Sequence, residues 1–269
     1  MITYEIKKFE ESKNTSDENL KIVVYSHTSF LEVLNIQIDY LEGKGDLILI
    51  INENDNNLTD FYNKFQTVIF YDDSLPYGYR LLNSVKQVPY DYFILIHDND
   101  IAIHIDEIKV KSMFNFLREN NYDRVDFQLA YDFDSDNSHK IDDDGLYFIK
   151  SSNTDTANKG YLYNVNPSIW KKDTLVDILN NFGFRDYRTI EHPDTQNYAV
   201  KFNIFKLYSK RKYQCGYFIC LEPFRYIHIT HSQKYLNLSS LPNLSYNDIE
   251  EEYIKIINKY NLTKSNKWM

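Results

Sequence analysis

The sequence predicts an α/β fold: a mostly parallel central sheet flanked by helices. Three observations predict it. Over the first hundred residues, apolar runs rich in β-formers alternate with segments of helical spacing, as strands joined by crossover helices do. The run 46–52 is apolar throughout its centre rather than alternating, the mark of a strand covered on both faces. The chain has 269 residues, 43% of them hydrophobic and 26% charged, which suits one large domain with an ample core.

Taken in order, residues 1–20 read as a lead-in and polar linker. Residues 21–25 form a strand that breaks at Ser26-His27-Thr28-Ser29, residues suited to cap a helix. Leu31, Leu34, Ile38 and Leu41 then recur at helical spacing, and Gly43 and Gly45 end that helix. Strands follow at 46–52, 67–72 and 92–96, with helices around 58–65 and 79–88 between them. Beyond Asp100, residues 101–105 read as a short strand. Residues 106–121 read as a helix with Ile108, Met113, Phe116 and Leu117 inward. Residues 125–129 alternate as a half-exposed strand does. The segment 160–170 leads into a helix over 171–180 ended by Gly183, and a second helix spans 188–201 with Pro193 near its start. Residues 207–224 read as strands or a hairpin. The last helix starts near Ser245 and Asp248, which have capping-box spacing, and carries Ile249, Tyr253, Ile256 and Tyr260 as its stripe.

Composition excludes several classes. The net charge of −9 argues against a nucleic-acid polymer as partner, because phosphate backbones require clusters of Lys and Arg. No apolar run is long enough to span a bilayer. Residues 1–21 are polar and charged, so no signal peptide is expected, and a cytoplasmic setting follows. Cys215 and Cys220, five apart on a strand, point to opposite faces and read as reduced thiols. The loop after the first strand has no G-x-G-x-x-G, which disfavours the usual dinucleotide fold.

The chemistry concentrates at Asp98-Asn99-Asp100, where the apolar run 92–96 ends. On an extended chain Asp98 and Asp100 face one side and Asn99 the other, at the strand end where open α/β sheets bind ligands. Two hard oxygen ligands there suit Mg²⁺ or Mn²⁺ that also touches phosphate oxygens; the alternative is an ordinary solvated turn. Residues 132–145, packed with Asp, Asn and Ser, read as a polar loop. A Ca²⁺ loop is the alternative, but the EF-hand spacing is missing.

With Asp98-Asn99-Asp100 after the fourth strand of a β-α-β-α-β-α-β series, the chain resembles the GT-A glycosyltransferases of the family 2-like, D-x-D type. Tyr163-Asn164-Val165-Asn166-Pro167-Ser168-Ile169-Trp170, followed by a basic helix start, is similar to a segment of several such enzymes. Glu191-His192-Pro193-Asp194 stands where that family often carries an acidic pair, although here the two are separated by two residues. His228 and His231 fall where many members place a late metal-binding His.

The resemblance implies a GT-A-like, Rossmann-like sheet with a smaller acceptor-side subregion. Its divisions would be a lead-in (1–20), a nucleotide-sugar half (21–105), an acceptor half (106–235) and a C-terminal linker and helix (236–269). It implies a hexosyltransferase-like enzyme moving sugar from a nucleotide donor, UDP-linked, to a hydroxyl acceptor on a glycan or other molecule. Mn²⁺ or Mg²⁺ would be held by Asp98, Asp100 and one of the late histidines, with His231 preferred for its polar neighbours. Ser26, His27, Thr28, Glu53, Arg80, Asn83, Asp98, Asn99 and Lys234 would line the nucleotide, and Trp170, Tyr161 and Tyr163 would stack on a sugar. Glu191 and Asp194, three apart near a helix start, would supply the base of an inverting transfer. Two rivals remain: a non-catalytic carbohydrate- or Ca²⁺-binding module, and a nucleotidyltransferase, which would usually show a Gly-rich, basic loop near the first strand.

Overall fold

The computed structural model describes residues 6–8, 19–52, 58–129, 138–140, 146–151, 162–187, 189–209, 218–221, 223–228, 230–231, 234–235 and 247–261. Its first half comprises strands β1 (Ile6–Lys8), β2 (Lys21–Tyr25), β3 (Asp46–Ile51), β4 (Thr67–Phe70), β5 (Tyr92–His97) and β6 (Asp100–Ile105). Helices α1 (Leu31–Leu41), α2 (Thr59–Tyr62) and α3 (Tyr77–Val85) lie between them. The second half begins with α4 (Glu107–Asn120), β7 (Arg124–Leu129), β8 (Ser138–Lys140), β9 (Leu146–Lys150) and β10 (Ser168–Lys171). It continues through α5 (Lys172–Phe182), α6 (Pro193–Ala199), β11 (Ile204–Ser209), β12 (Phe218–Leu221) and β13 (Phe224–His228). The pair β14 (Thr230–His231) and β15 (Lys234–Tyr235) precedes α7 (Asn247–Lys259).

One ten-stranded sheet runs β1-β4-β3-β2-β5-β10-β7-β11-β9-β8. Its β4-β3-β2-β5 part is wholly parallel. The rest is mixed: β10 runs antiparallel between β5 and β7, β11 is parallel to β7, and β9 and β8 are antiparallel additions. The order β12-β13-β6 makes a second, three-stranded sheet. Among the described residues no helix is long and apolar enough to cross a membrane.

The parallel strands are buried on both faces, and alternation divides their side chains between two cores. Ile22, Val24, Leu49 and Ile94 pack with Leu34, Ile38 and Leu41 of α1 and with Val110, Met113 and Leu117 of α4. Val23, Ile48, Phe93 and Leu95 pack on the other face with Leu81, Leu82 and Val85 of α3 and Leu175, Ile178 and Leu179 of α5. The chain winds from β2 out through β3 and β4, then returns to β5 on the other side of β2. Connections therefore leave β2 and β5 in opposite directions, and the topological switch point, where such sheets bind ligands, falls at their carboxyl ends.

Four expectations are corrected. Residues 168–171 form β10, a central strand too short to show a pattern ahead of α5. In β7, Asp126 does not face solvent: it is as fully buried as Val125 and Phe127, because it pairs with the buried Arg124; the side chains of Gln128 and Leu129 lie outside the described residues. In α4 the inward stripe is Val110, Met113, Phe114 and Leu117, and Ile108 is 83% exposed. Within the polar stretch 132–145, residues 138–140 are the edge strand β8, and the remainder lies outside the described residues, as does Cys215.

Candidate functional site

The carboxyl ends of β2, β3, β4 and β5 are tied together by one short loop. Backbone bonds run from Ser26 N–H to the Ile50 carbonyl at 2.9 Å and from Asp98 N–H to the Tyr25 carbonyl at 3.0 Å. The Thr28 N–H donates to Asn52 Oδ1 at 2.8 Å, and the Tyr71 hydroxyl donates to the Ser26 carbonyl at 3.0 Å. Asp98 Oδ2 accepts from the Ser26 hydroxyl at 2.8 Å and from the His27 N–H at 3.3 Å. The sequence thus places small polar residues where a loop must cross the switch point.

Strand β5 ends at His97, Asp98 and Asn99 form a turn, and Asp100 opens β6. The two carboxylates are neighbours because of this turn and not because of strand alternation, which corrects the simpler expectation. Burial pushes the Asp98 carboxyl up to about 6. The Ser26 and His27 hydrogen bonds oppose that rise and the Asp100 charge adds to it. Asp100 is 1% exposed. Two crowded hard oxygen donors, one of them resisting ionisation, fit a divalent cation. Among the described residues no group of three or more His, Cys, Asp or Glu is arranged to hold a metal by itself. One or two carboxylates completed by ligand phosphates is the usual way Mg²⁺ is held.

Around the pair stands a wall of rings. Tyr77 Oη and His97 Nε2 are hydrogen-bonded at 2.6 Å inside the protein. Tyr187 meets the Tyr77 ring edge-on at 5.1 Å, and its hydroxyl accepts from Asn99 Nδ2 at 3.5 Å. Burial first, then the charges of Asp100, Glu191 and Asp98, hold the Tyr187 phenol un-ionised. Tyr187 therefore stands among all three carboxylates, a position that sequence periodicity did not reveal.

The second half contributes a buried charged layer. The guanidinium of Arg124 is wholly buried 4.3 Å over the Trp170 ring. It donates to the Leu162 carbonyl, to Asn164 Oδ1 at 2.5 Å and to Ser168 Oγ at 2.6 Å. Asp126 lies 3.4 Å from it and accepts from Asn164 Nδ2 at 2.6 Å. Lys206, 2% exposed, is opposite Asp126 on β11, and burial lowers its pKa. The segment clamped in this way presents the Val165 N–H to Glu191 Oε1 at 2.8 Å. Burial raises the Glu191 pKa, and the Val165 hydrogen bond and Arg124 partly oppose it.

Glu191 and Asp194 do not share a helix face. The helix α6 starts at Pro193, so Glu191 precedes it and turns inward, whereas Asp194 is exposed and bound to Arg185 at 2.8 Å. His27 faces away from Asp98. Its Nδ1 accepts the Ser29 N–H at 3.0 Å, so Nε2 carries the proton and donates to Asp73 Oδ2 at 3.1 Å. Arg80 also donates to Asp73 and lies 5.5 Å over the Tyr71 ring. Asn83 is three residues farther along α3, about 4.5 Å beyond Arg80 along the helix axis. Trp170 and Tyr163 are core residues, 1% and 2% exposed, so neither stacks on a sugar. Glu53 and Tyr161 lie outside the described residues, and His231 and Lys234 are described only as backbone of β14 and β15. The register of β13 sets His228, and not His231, directly across from Asp100.

No protein-family model matches the chain, and no curated protein does. Among solved structures, an apo UDP-glucose pyrophosphorylase overlays with a TM-score of 0.47 and 12% identity, over 91% of this chain and 100% of that one. A cytidylyltransferase from Leptospira borgpetersenii overlays with a TM-score of 0.46 and 12% identity, over 93% and 98%. A putative glucose-1-phosphate thymidylyltransferase from Bacillus anthracis overlays with a TM-score of 0.42 and 10% identity, over 71% and 87%.

Proposed function

We propose that the chain is a nucleotide-sugar enzyme that binds a UDP-linked donor through Mn²⁺ or Mg²⁺ at Asp98 and Asp100 and transfers the sugar to a hydroxyl acceptor. The observation that carries this is the carboxylate pair at the β2–β5 switch point, where an α/β sheet binds its ligand. A cation there would neutralise the charge developing on the departing diphosphate. The chain's own residues would do the rest. Ser26 and the His27 N–H orient Asp98. Glu191, inward-facing and raised in pKa, takes the acceptor proton. His228 is the late histidine to test as a further ligand, because β13 sets it across from Asp100.

Nucleotidyl transfer is the rival within the same cation–phosphate chemistry. The loop Ser26-His27-Thr28-Ser29-Phe30 disfavours it, having no glycine, lysine or arginine to meet a triphosphate. One experiment separates the two. Thermal shift and turnover are measured with UDP-, GDP- and CMP-sugars plus glycan acceptors, and in parallel with nucleoside triphosphates plus sugar-1-phosphates, with and without Mn²⁺. A Mn²⁺-dependent shift and nucleoside diphosphate release with a nucleotide-sugar are expected. Pyrophosphate release from a triphosphate would instead establish nucleotidyl transfer, and no response to any nucleotide would end both readings.

A further inference from the structure

A shallow, open cleft of about 650 Å³ lies between the loop that ends at Pro76 and the segment after α5. That volume falls within the roughly 300–1,000 Å³ of small-molecule sites. Ser74, Leu75, Pro76, Phe184, Arg185 and His192 are among its lining residues. Its two walls are held together by bare backbone. A Cβ on Gly78 would sit 2.7 Å from the Gly183 Cα, and the Gly78 N–H donates to the Arg185 carbonyl at 3.2 Å.

We propose that this cleft binds a pyranose ring of the acceptor glycan, a proposal that rests on the glycosyl-transfer reading above. Three features select that chemistry. First, Phe184 is 58% exposed at the cleft. Tyr79, another exposed aromatic side chain, lies against Gly183 next to Phe184. An exposed ring fits the apolar C–H face of a sugar.

Second, Arg185 is fixed but has donors to spare. Its guanidinium lies 5.5 Å from the Phe184 ring, with Nη1 donating to the Thr189 carbonyl at 3.2 Å and Nη2 to Asp194 at 2.8 Å. The side chain is 13% exposed and each Nη carries a second hydrogen. Such donors suit a ligand oxygen.

Third, the cleft carries no excess of positive charge. Asp194 pairs with Arg185 and lies 3.4 Å from His192, and Asp186 adds a further negative charge at the cleft. A phosphate or carboxylate ligand would meet these carboxylates, and a purely apolar one would leave the second Nη hydrogens of Arg185 unmet. A neutral ring with one apolar face and hydroxyl edges satisfies both conditions. The site is continuous with the chemistry, because Glu191 immediately precedes His192 and Tyr187 bonds Asn99.

The test is saturation-transfer NMR of the full chain with the methyl glycosides of glucose, galactose, mannose and N-acetylglucosamine, recorded without nucleotide or cation. At least one glycoside is expected to bind, and Phe184→Ala is expected to weaken it by about fivefold, the equivalent of losing one ring-stacking contact. Phe184 is exposed, so the variant keeps its fold. Arg185→Gln, which removes the Nη donors, is expected to weaken binding as well. No binding of any glycoside to the parent protein, or binding unchanged in both variants, overturns the proposal. Because no nucleotide is present, this outcome is read independently of the donor experiment.

Discussion

The Ser26 hydroxyl donates to Asp98 Oδ2 at 2.8 Å across the two central parallel strands, joining the first βα loop to the carboxylate turn. The bond fixes one oxygen of Asp98 from within the fold. The pair Asp98 and Asp100 is thereby preorganised at the switch point before any ligand arrives, at the expense of shielding the Asp98 carboxylate from water, with the Asp100 charge adding a smaller penalty.

That expense is measurable in the cation-free protein. Asp98 titrates at about 6 when folded, against about 3.9 in an unfolded chain. Between those values the folded state binds the proton more tightly, so the stabilisation is fully present below about 4 and is lost as pH rises through about 6. Allowing for partial exposure, the loss is on the order of 2 kcal/mol. Urea unfolding across this window should show stability falling with pH in the parent. Asp98→Asn should flatten the curve and be the more stable protein at neutral pH; a parent curve without the slope would refute the shift.

Arg124 offers a sharper structural test. It is buried with Asp126, Asn164, Ser168 and Trp170 as its neighbours. Arg124→Met leaves Asp126 charged inside the protein and should cost about 3–5 kcal/mol in chemical denaturation. Arg124→Lys should recover little of this, because an ammonium cannot span the Leu162 carbonyl, Asn164 and Ser168 together. A Lys variant as stable as the parent would show that charge alone suffices.

The same layer explains what could be read in advance. The strands β2 to β5 were legible because each is an apolar run whose burial needs no partner chemistry. Their winding then located the switch point and the Asp98 turn. Residues 125–129 read as half-exposed because Asp126 looks like a solvent-facing residue, and only its tertiary pairing with Arg124 makes it interior. Ile108 fits the helical spacing, yet Val110 and Phe114 supply the buried stripe of α4 and leave it exposed. Trp170 attracted a ligand role through its residue type, yet its ring serves as the platform for Arg124. Tyr187 carries no motif, and its place among three carboxylates comes from the path of the chain after Gly183.

Gly78→Ala distinguishes tertiary from local control. Ala is favoured over Gly within helices by about 1 kcal/mol, so helix propensity alone predicts a more stable protein. The new methyl would meet the Gly183 Cα at 2.7 Å and its carbonyl oxygen at 2.8 Å, and both are backbone atoms that cannot rotate away. Overpacking of this kind costs about 1–3 kcal/mol, enough to reverse the sign. A lowered melting temperature is expected, and a raised one would show that α3 and the end of α5 are free to separate.

Glu191 is the residue on which the proposed transfer turns. It differs from Asp194 in every property a base requires: it faces inward, it is oriented by the Val165 N–H at 2.8 Å, and burial raises its pKa. Asp194 is exposed and neutralised by Arg185. Glu191→Gln keeps the shape and a hydrogen-bond acceptor for Val165 but cannot take a proton. Turnover should fall by about 10²–10⁴-fold, the usual contribution of a general base. The nucleotide-dependent thermal shift should remain, because the donor is held at Asp98 and Asp100. In the parent, turnover should rise with pH as Glu191 ionises, with its midpoint above the usual carboxylate range, and Asp194→Asn should leave that profile in place. Unchanged turnover in Glu191→Gln would remove Glu191 from the chemistry and leave its inward orientation a matter of holding the 162–168 segment.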